Sequence, residues 1–226
     1  MTSIAETTDL SGVGLPTEAM TINIGPVHPA MHGTVKVIAT LDGERILHAD
    51  VNPGFLHRGF EKESENVTWA QIFPYTDRLN YVSPIINNVG YAMAVEKLLD
   101  LEVPERCQYL RVISMELSRV GDHLTCLAAM AMELGAMTAF LYCIRARDLI
   151  YDRLEELTGA RVTHAYARIG GLKDDTPEGW TDQVLADFDE IKGVIDDLGG
   201  LLYRNRIFQD RTSGVGVVSK EEAIQW

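Results

Sequence analysis

The rhythm of apolar and polar positions changes near residue 60. Before it, the apolar runs are short, β-branched and punctuated by Gly and Pro. Thr21-Ile22-Asn23-Ile24 alternates as a short strand, and Thr34 to Leu41 reads as a second. Asp42-Gly43 is a hairpin signal, Arg45 to Val51 returns as a third strand, and Asn52-Pro53-Gly54 ends it. The segment Gly25-Pro26-Val27-His28-Pro29-Ala30-Met31-His32-Gly33 holds two prolines and two glycines, which predicts a shaped loop. Beyond residue 60 the steps become three and four. Tyr91 to Asp100 predicts a short helix that ends near Pro104. From Pro104 onward, Leu110, Ile113, Leu117, Val120, Leu124, Leu127 and Met130 mark one face of a long helix, with Pro104 suited to its first turn. Another helix is expected from Thr138 to Leu157, stopped by Gly159, and a last one from Thr181 to Tyr203. Arg168 to Gly171 and Thr176 to Gly179 read as loop between them. The expected fold is α+β and mostly α: a small N-terminal antiparallel sheet followed by a helical bundle. Residues 1–20 lack periodicity and read as a flexible tail, 21–60 as the β subdomain, and 61–226 as the bundle.

Composition narrows the function classes. The chain has 226 residues, 46% of them hydrophobic, which suffices for a packed core. With 33 acidic against 20 basic residues its net charge is −13, which argues against nucleic acid and against docking alone on an anionic lipid surface. No charged-then-apolar leader opens the sequence, so nothing in it suggests secretion. Cys107, Cys126 and Cys143 are odd in number and form no Cys-x-x-Cys pair, which predicts reduced thiols and no metal bound by this chain. Leu124 to Ile144 approaches the length of a membrane span. Glu133 near its middle and Gly135 after it favour two buried helical segments meeting at Leu134-Gly135-Ala136.

Four segments carry candidate chemistry. His28 and His32 share the first loop, where they either fix its turn or face a ligand. Pro74 to Pro84 places Tyr75, Asp77, Arg78 and Tyr81 between prolines. A Tyr hydroxyl there can donate a hydrogen bond or a proton; the plainer alternative is two core aromatics and a surface Asp77–Arg78 pair. Glu133 inside an apolar run is expected to be desolvated unless partnered; the alternative is a solvent-facing helix end. Leu56 to Lys62 carries His57, Arg58, Glu61 and Lys62, either as a solvated face or with Arg58 toward a negatively charged cofactor.

Taken in order, these segments resemble a known family. Gly25 to Gly33, Leu56 to Lys62, Pro74 to Ser83, Ala94 to Leu99, Leu134 to Thr138 and Arg168 to Gly171 are similar to the N-terminal part of the 49-kDa-type subunit of proton-translocating NADH:quinone oxidoreductases, the respiratory complex I enzymes. The resemblance implies a fold like the nickel–iron hydrogenase large subunit, incomplete here at the C-terminus. It implies that His32 and Tyr81 contact the quinone head group and that Glu133, where many relatives have Asp, partners His32. Arg58 would lie near the terminal iron–sulfur cluster of a neighbouring subunit, with His28, Asp77 and Arg78 in support. A His that tracks the cluster's redox state in many relatives is replaced here by Thr163, with His164 one residue later.

The same resemblance implies quinone as substrate, with the iron–sulfur cluster, FMN and NADH on other subunits. Implied partners are the cluster-bearing subunit and the membrane arm. The implied place is the cytoplasmic face of a bacterial inner membrane, peripheral and without a spanning helix. Two alternatives stay open: a hydrogenase-like large subunit and a non-catalytic scaffold. Leu79, Asn80, Tyr81 and Val82 follow Arg78 where hydrogenases carry a cysteine pair, so the thiolates that nickel requires are missing.

Overall fold

Gly25 can be nothing but glycine. Its φ is +89°, and a Cβ there would collide with the carbonyl oxygen of Val35. The loop it opens connects the first two strands of a three-stranded antiparallel sheet, in order β1 (Met20–Ile24), β2 (Lys36–Asp42) and β3 (Arg45–Asn52). The computed structural model describes residues 19–28, 31 and 33–226. The flexible-tail reading of residues 1–20 therefore falls almost wholly outside the described residues, and Met20 already belongs to β1. Ile22 pairs with Ala39 and Ile38 with Asp50, and the turn between β2 and β3 uses Gly43 at φ +60°. A bulge falls between Thr40 and Leu41. Ala39 is buried, whereas every residue of β3 is exposed.

The chain divides into two compact units, the first ending at Gly59 and the second running from Phe60 to Trp226. The second unit is helical. Short helices α1 (Phe60–Ser64) and α2 (Phe73–Thr76) precede α3 (Pro84–Leu99), α4 (Glu105–Glu133), α5 (Met137–Thr158) and α6 (Trp180–Leu201). A minimal hairpin, β4 (Ala167–Arg168) with β5 (Gly171–Leu172), lies between α5 and α6, and α7 (Arg206–Thr212) and α8 (Lys220–Gln225) follow. The fold class is α+β and mostly α, as the sequence pattern predicts.

Four elements differ from the sequence reading, the first being the β4–β5 hairpin, where Arg168 to Gly171 reads as loop. Helix α3 begins at Pro84 rather than Tyr91, because proline suits a helix's first turn and Ile85, Asn88, Val89 and Ala92 bury one face. Thr181 to Tyr203 is not the last helix, since two short ones come after it. The apolar face of α4 is also rotated. Its buried positions are Cys107, Arg111, Ser114, Leu117, Ser118, Gly121, Leu124, Ala128 and Ala131, while Ile113, Leu127 and Met130 are partly exposed. Small side chains bring the backbones of α4 and α5 close together, and size-weighted apolar periodicity passes over them. The α4–α5 connection follows the expected turn. Gly135 takes φ +81° and the Ala136 amide donates to the Ala131 carbonyl at 2.7 Å. No described helix is long and apolar enough to cross a membrane.

The core of the second unit joins Ile85, Val89, Leu117, Leu124, Ile150, Leu154, Tyr166 and Trp180. The Trp180 indole donates to the Arg153 carbonyl at 2.8 Å, so this ring is buried with its polar atom satisfied.

Candidate functional site

Between α2 and α3 the chain runs through Asp77, Arg78, Leu79, Asn80, Tyr81, Val82 and Ser83. The stretch is short because α2 ends at Thr76 and Pro84 starts the next helix. Its ends are held from different directions. At the first end, Asp77 is 1% exposed and accepts the Ala165 amide at 3.2 Å. Asn88, on α3, donates to the Thr76 hydroxyl at 2.9 Å beside Asp77. Burial pushes the Asp77 carboxyl above the usual carboxylate range, against the Asn88 side chain, the Ala165 hydrogen bond and the nearby Arg78 and Arg168 charges. At the other end, Asn80 and Ser83 both bond Asp122 on α4, at 2.8 and 2.9 Å.

Tyr81 lies between these anchors and is 57% exposed. Arg78 reaches back to the Pro74 carbonyl at 2.9 Å and stands 3.9 Å from Asp77. The Asp77–Arg78 pair of the plainer sequence reading is thus present but not a surface pair, because its carboxylate is buried, and Tyr81 is no core aromatic. Asp77, Arg78 and Tyr81 share one turn, with the carboxylate inside and the phenol outside.

The remaining sequence candidates belong to other segments of the chain. His32 lies outside the described residues. His28 is exposed in the loop before β2, and its carbonyl accepts the Met31 amide at 3.0 Å. Arg58 is exposed near the end of the first unit. Glu133 is the last residue of α4 and is exposed, which overturns its expected desolvation: the helix turns it outward, between buried Ala131 and half-buried Leu134. It stands about 16 Å along the helix axis from Asp122. Among the described residues, no three His, Cys, Asp or Glu side chains gather as a metal site.

Sequence reasoning missed Asn88, Asp122 and the neighbourhood of His164. Asp122 carries no local signal, since its partners lie 39 and 42 residues away. His164 is 4% exposed, and neither ring nitrogen has a partner in good hydrogen-bond geometry. Its pKa is pushed down to about 4 by burial, with the nearby Arg161 backbone acting weakly the other way. Thr163 and Ala165 on either side take φ of +57° and +42°, strained values for residues with a Cβ. The strained loop is thus tied to the Tyr81 turn through the Ala165–Asp77 hydrogen bond.

Known proteins share this architecture. Residues 133–226 match the family model described as respiratory-chain NADH dehydrogenase, 49 Kd subunit. An NADH-quinone oxidoreductase subunit of Anaeromyxobacter sp. (strain Fw109-5) is 60% identical over 93% of this chain and 49% of its own length. The corresponding NADH-quinone oxidoreductase subunit of Myxococcus xanthus (strain DK1622) is 53% identical over 94% of this chain and 51% of its own. The chain spans about half the length of the curated relatives it matches. Among solved structures, a chain of the membrane-bound sulfane sulfur reductase, an archaeal respiratory membrane complex, superposes with a TM-score of 0.84 at 34% identity. The match covers 90% of this chain and 54% of that one. With identities this high over nearly its whole length, and a shared fold, the chain is similar throughout to about half of a 49 kDa-type subunit of respiratory-chain NADH dehydrogenases.

Proposed function

We propose that this chain supplies part of a quinone-reducing site in a membrane-bound, multi-subunit NADH:quinone oxidoreductase, with Tyr81 and His32 contacting the quinone head group. The observation that carries this reading is the Tyr81 turn: an exposed phenol between two anchored ends. Names of the relatives support quinone as the acceptor. Quinone takes up two electrons and two protons to become quinol. Electrons arrive from an iron–sulfur cluster held by a neighbouring subunit, with Arg58 close to it; FMN and NADH sites also belong to other subunits. The Tyr81 hydroxyl and the His32 imidazole hydrogen-bond the two carbonyl oxygens, favour the negative charge that develops there, and hand over protons. Glu133 orients or recharges His32, and its exposed place at the end of α4 is reachable by protons from solvent. His28, Asp77 and Arg78 support the two contacts. The complex lies against the cytoplasmic face of a bacterial inner membrane, this subunit is peripheral, and quinone reduction is coupled to proton translocation by the membrane arm.

Tyr81→Phe in the assembled complex is expected to lower quinone reduction by about 10²-fold. Oxidation of NADH by a water-soluble artificial acceptor is expected to be unchanged. Normal quinone kinetics in that variant sinks the reading. A second reading keeps the subunit but changes the donor or acceptor, and it is favoured by the structural match to a sulfane sulfur reductase. Turnover of the purified complex with another reductant in place of NADH, and none with NADH, selects it.

A further inference from the structure

We propose that Asp122 is a positioning residue for Tyr81: its carboxylate fixes the turn that presents the phenol. This inference rests on the reading of Tyr81 as a head-group contact. The geometry is a closed ring of three hydrogen bonds. Asn80 donates from Nδ2 to Asp122 Oδ2 at 2.8 Å and to Ser83 Oγ at 2.7 Å, and Ser83 Oγ donates to the same Oδ2 at 2.9 Å. The ring encloses Tyr81 and Val82, and the Ser83 amide closes the turn on the Asn80 carbonyl at 3.1 Å. An ionised acceptor strengthens both bonds it receives.

Ser83 shows that this arrangement displaces an ordinary one. It occupies the N-cap of α3, where a serine hydroxyl normally accepts an amide of the first helical turn. Here it makes no such bond and is directed to Asp122 instead. A residue at a capping position has given up the cap, and what it gains is a fixed relation between the Tyr81 turn and α4. Packing of α3 against α4 does not need this, because Ile85, Val89, Leu117 and Leu124 already share one apolar core. The ring therefore sets direction for the exposed side chain it surrounds.

The test uses the assembled complex with three variants of this chain. Asp122→Ala removes the acceptor, Asp122→Asn keeps an oxygen in its place, and Tyr81→Phe reports the phenol itself. Hydrogen exchange of residues 78–84 reads the turn, and kcat and KM for a short-chain quinone read the reaction. In Asp122→Ala, exchange of that segment is expected to accelerate at least tenfold and kcat/KM to fall by about tenfold or more, with Asp122→Asn restoring most of both. Unchanged exchange, or faster exchange with normal kinetics beside a slow Tyr81→Phe, overturns the role of Asp122 alone. Normal kinetics in Tyr81→Phe overturns the reading of Tyr81 and the inference with it. If Asp122→Ala fails to assemble, Ser83→Ala, which removes one donor of the ring, takes its place with the same readouts, and wild-type values there overturn the proposal.

Discussion

His164 is buried with neither ring nitrogen in good hydrogen-bond geometry, and burial holds it neutral. Its pKa of about 4 lies well below the 6.5 of an unfolded chain. The unfolded state therefore binds a proton first as pH falls. Stability from this residue is complete above 6.5, declines between 6.5 and 4, and is gone below, a loss on the order of 3 kcal/mol. Thermal unfolding at pH 7 and pH 4.5 should show this decline in the wild type and a flatter profile in His164→Leu; identical profiles would refute it. The sequence shows a histidine one place beyond the expected position, but not its burial, because a buried neutral imidazole carries no pattern of its own. Glu133 illustrates the reverse. An apolar neighbourhood along the chain is not an apolar neighbourhood in space, and a residue at a helix end turns with the helix. For Tyr81 the sequence shows only its place with Tyr75, Asp77 and Arg78 between two prolines; the exposure of its ring follows from the turn.

At the scale of elements, α4 is set by small residues. Gly121, Ala128 and Ala131 face α5 or the neighbouring core, and a Cβ on Gly121 would meet Tyr151 Cε1 at 3.4 Å and Ile150 at 3.7 Å, close to ordinary contact. Gly121→Ala is therefore expected to leave stability unchanged or raise it by up to about 1 kcal/mol through helix propensity. Ala131→Leu, at a position with no exposed surface, is expected to cost about 1–3 kcal/mol by overpacking. Chemical denaturation separates the two, and equal losses would contradict the close-packing account. The hairpin, the α4–α5 turn and the Gly159 stop were all legible because glycine marks them chemically. The start of α3 and the rotated face of α4 were not, because Pro84 can end a loop or begin a helix and small side chains weigh little in any apolar count.

At the scale of the second unit, one buried ion pair ties distant pieces together. Arg111 on α4 meets Glu96 on α3 at 2.6 and 2.8 Å and also donates to the carbonyls of Arg168 and Gly171. Glu96 in turn accepts the Gly170 amide at 2.7 Å. Arg111 holds the Glu96 carboxyl below its ordinary range, so its contribution is present above pH 4.5 and fades as pH falls through the lowered value. Glu96→Gln leaves a buried guanidinium without its anion and is expected to destabilise the unit by about 3–5 kcal/mol. A double replacement with Leu at 96 and Met at 111 should cost less than that single change in a denaturant titration. A larger loss in the double variant would mean that the pair contributes more than mutual neutralisation.

The Tyr81 turn has a consequence for binding as well as for chemistry. With Asp77 anchored to Ala165 and the Asn80–Ser83 ring anchored to α4, the turn is held by bonds among this chain's own residues. A molecule arriving at the phenol meets a surface that has already lost its conformational freedom, so association carries little ordering entropy on this side. Differences in affinity among head groups would then reside in how long each stays, rather than in how quickly the turn can close around it.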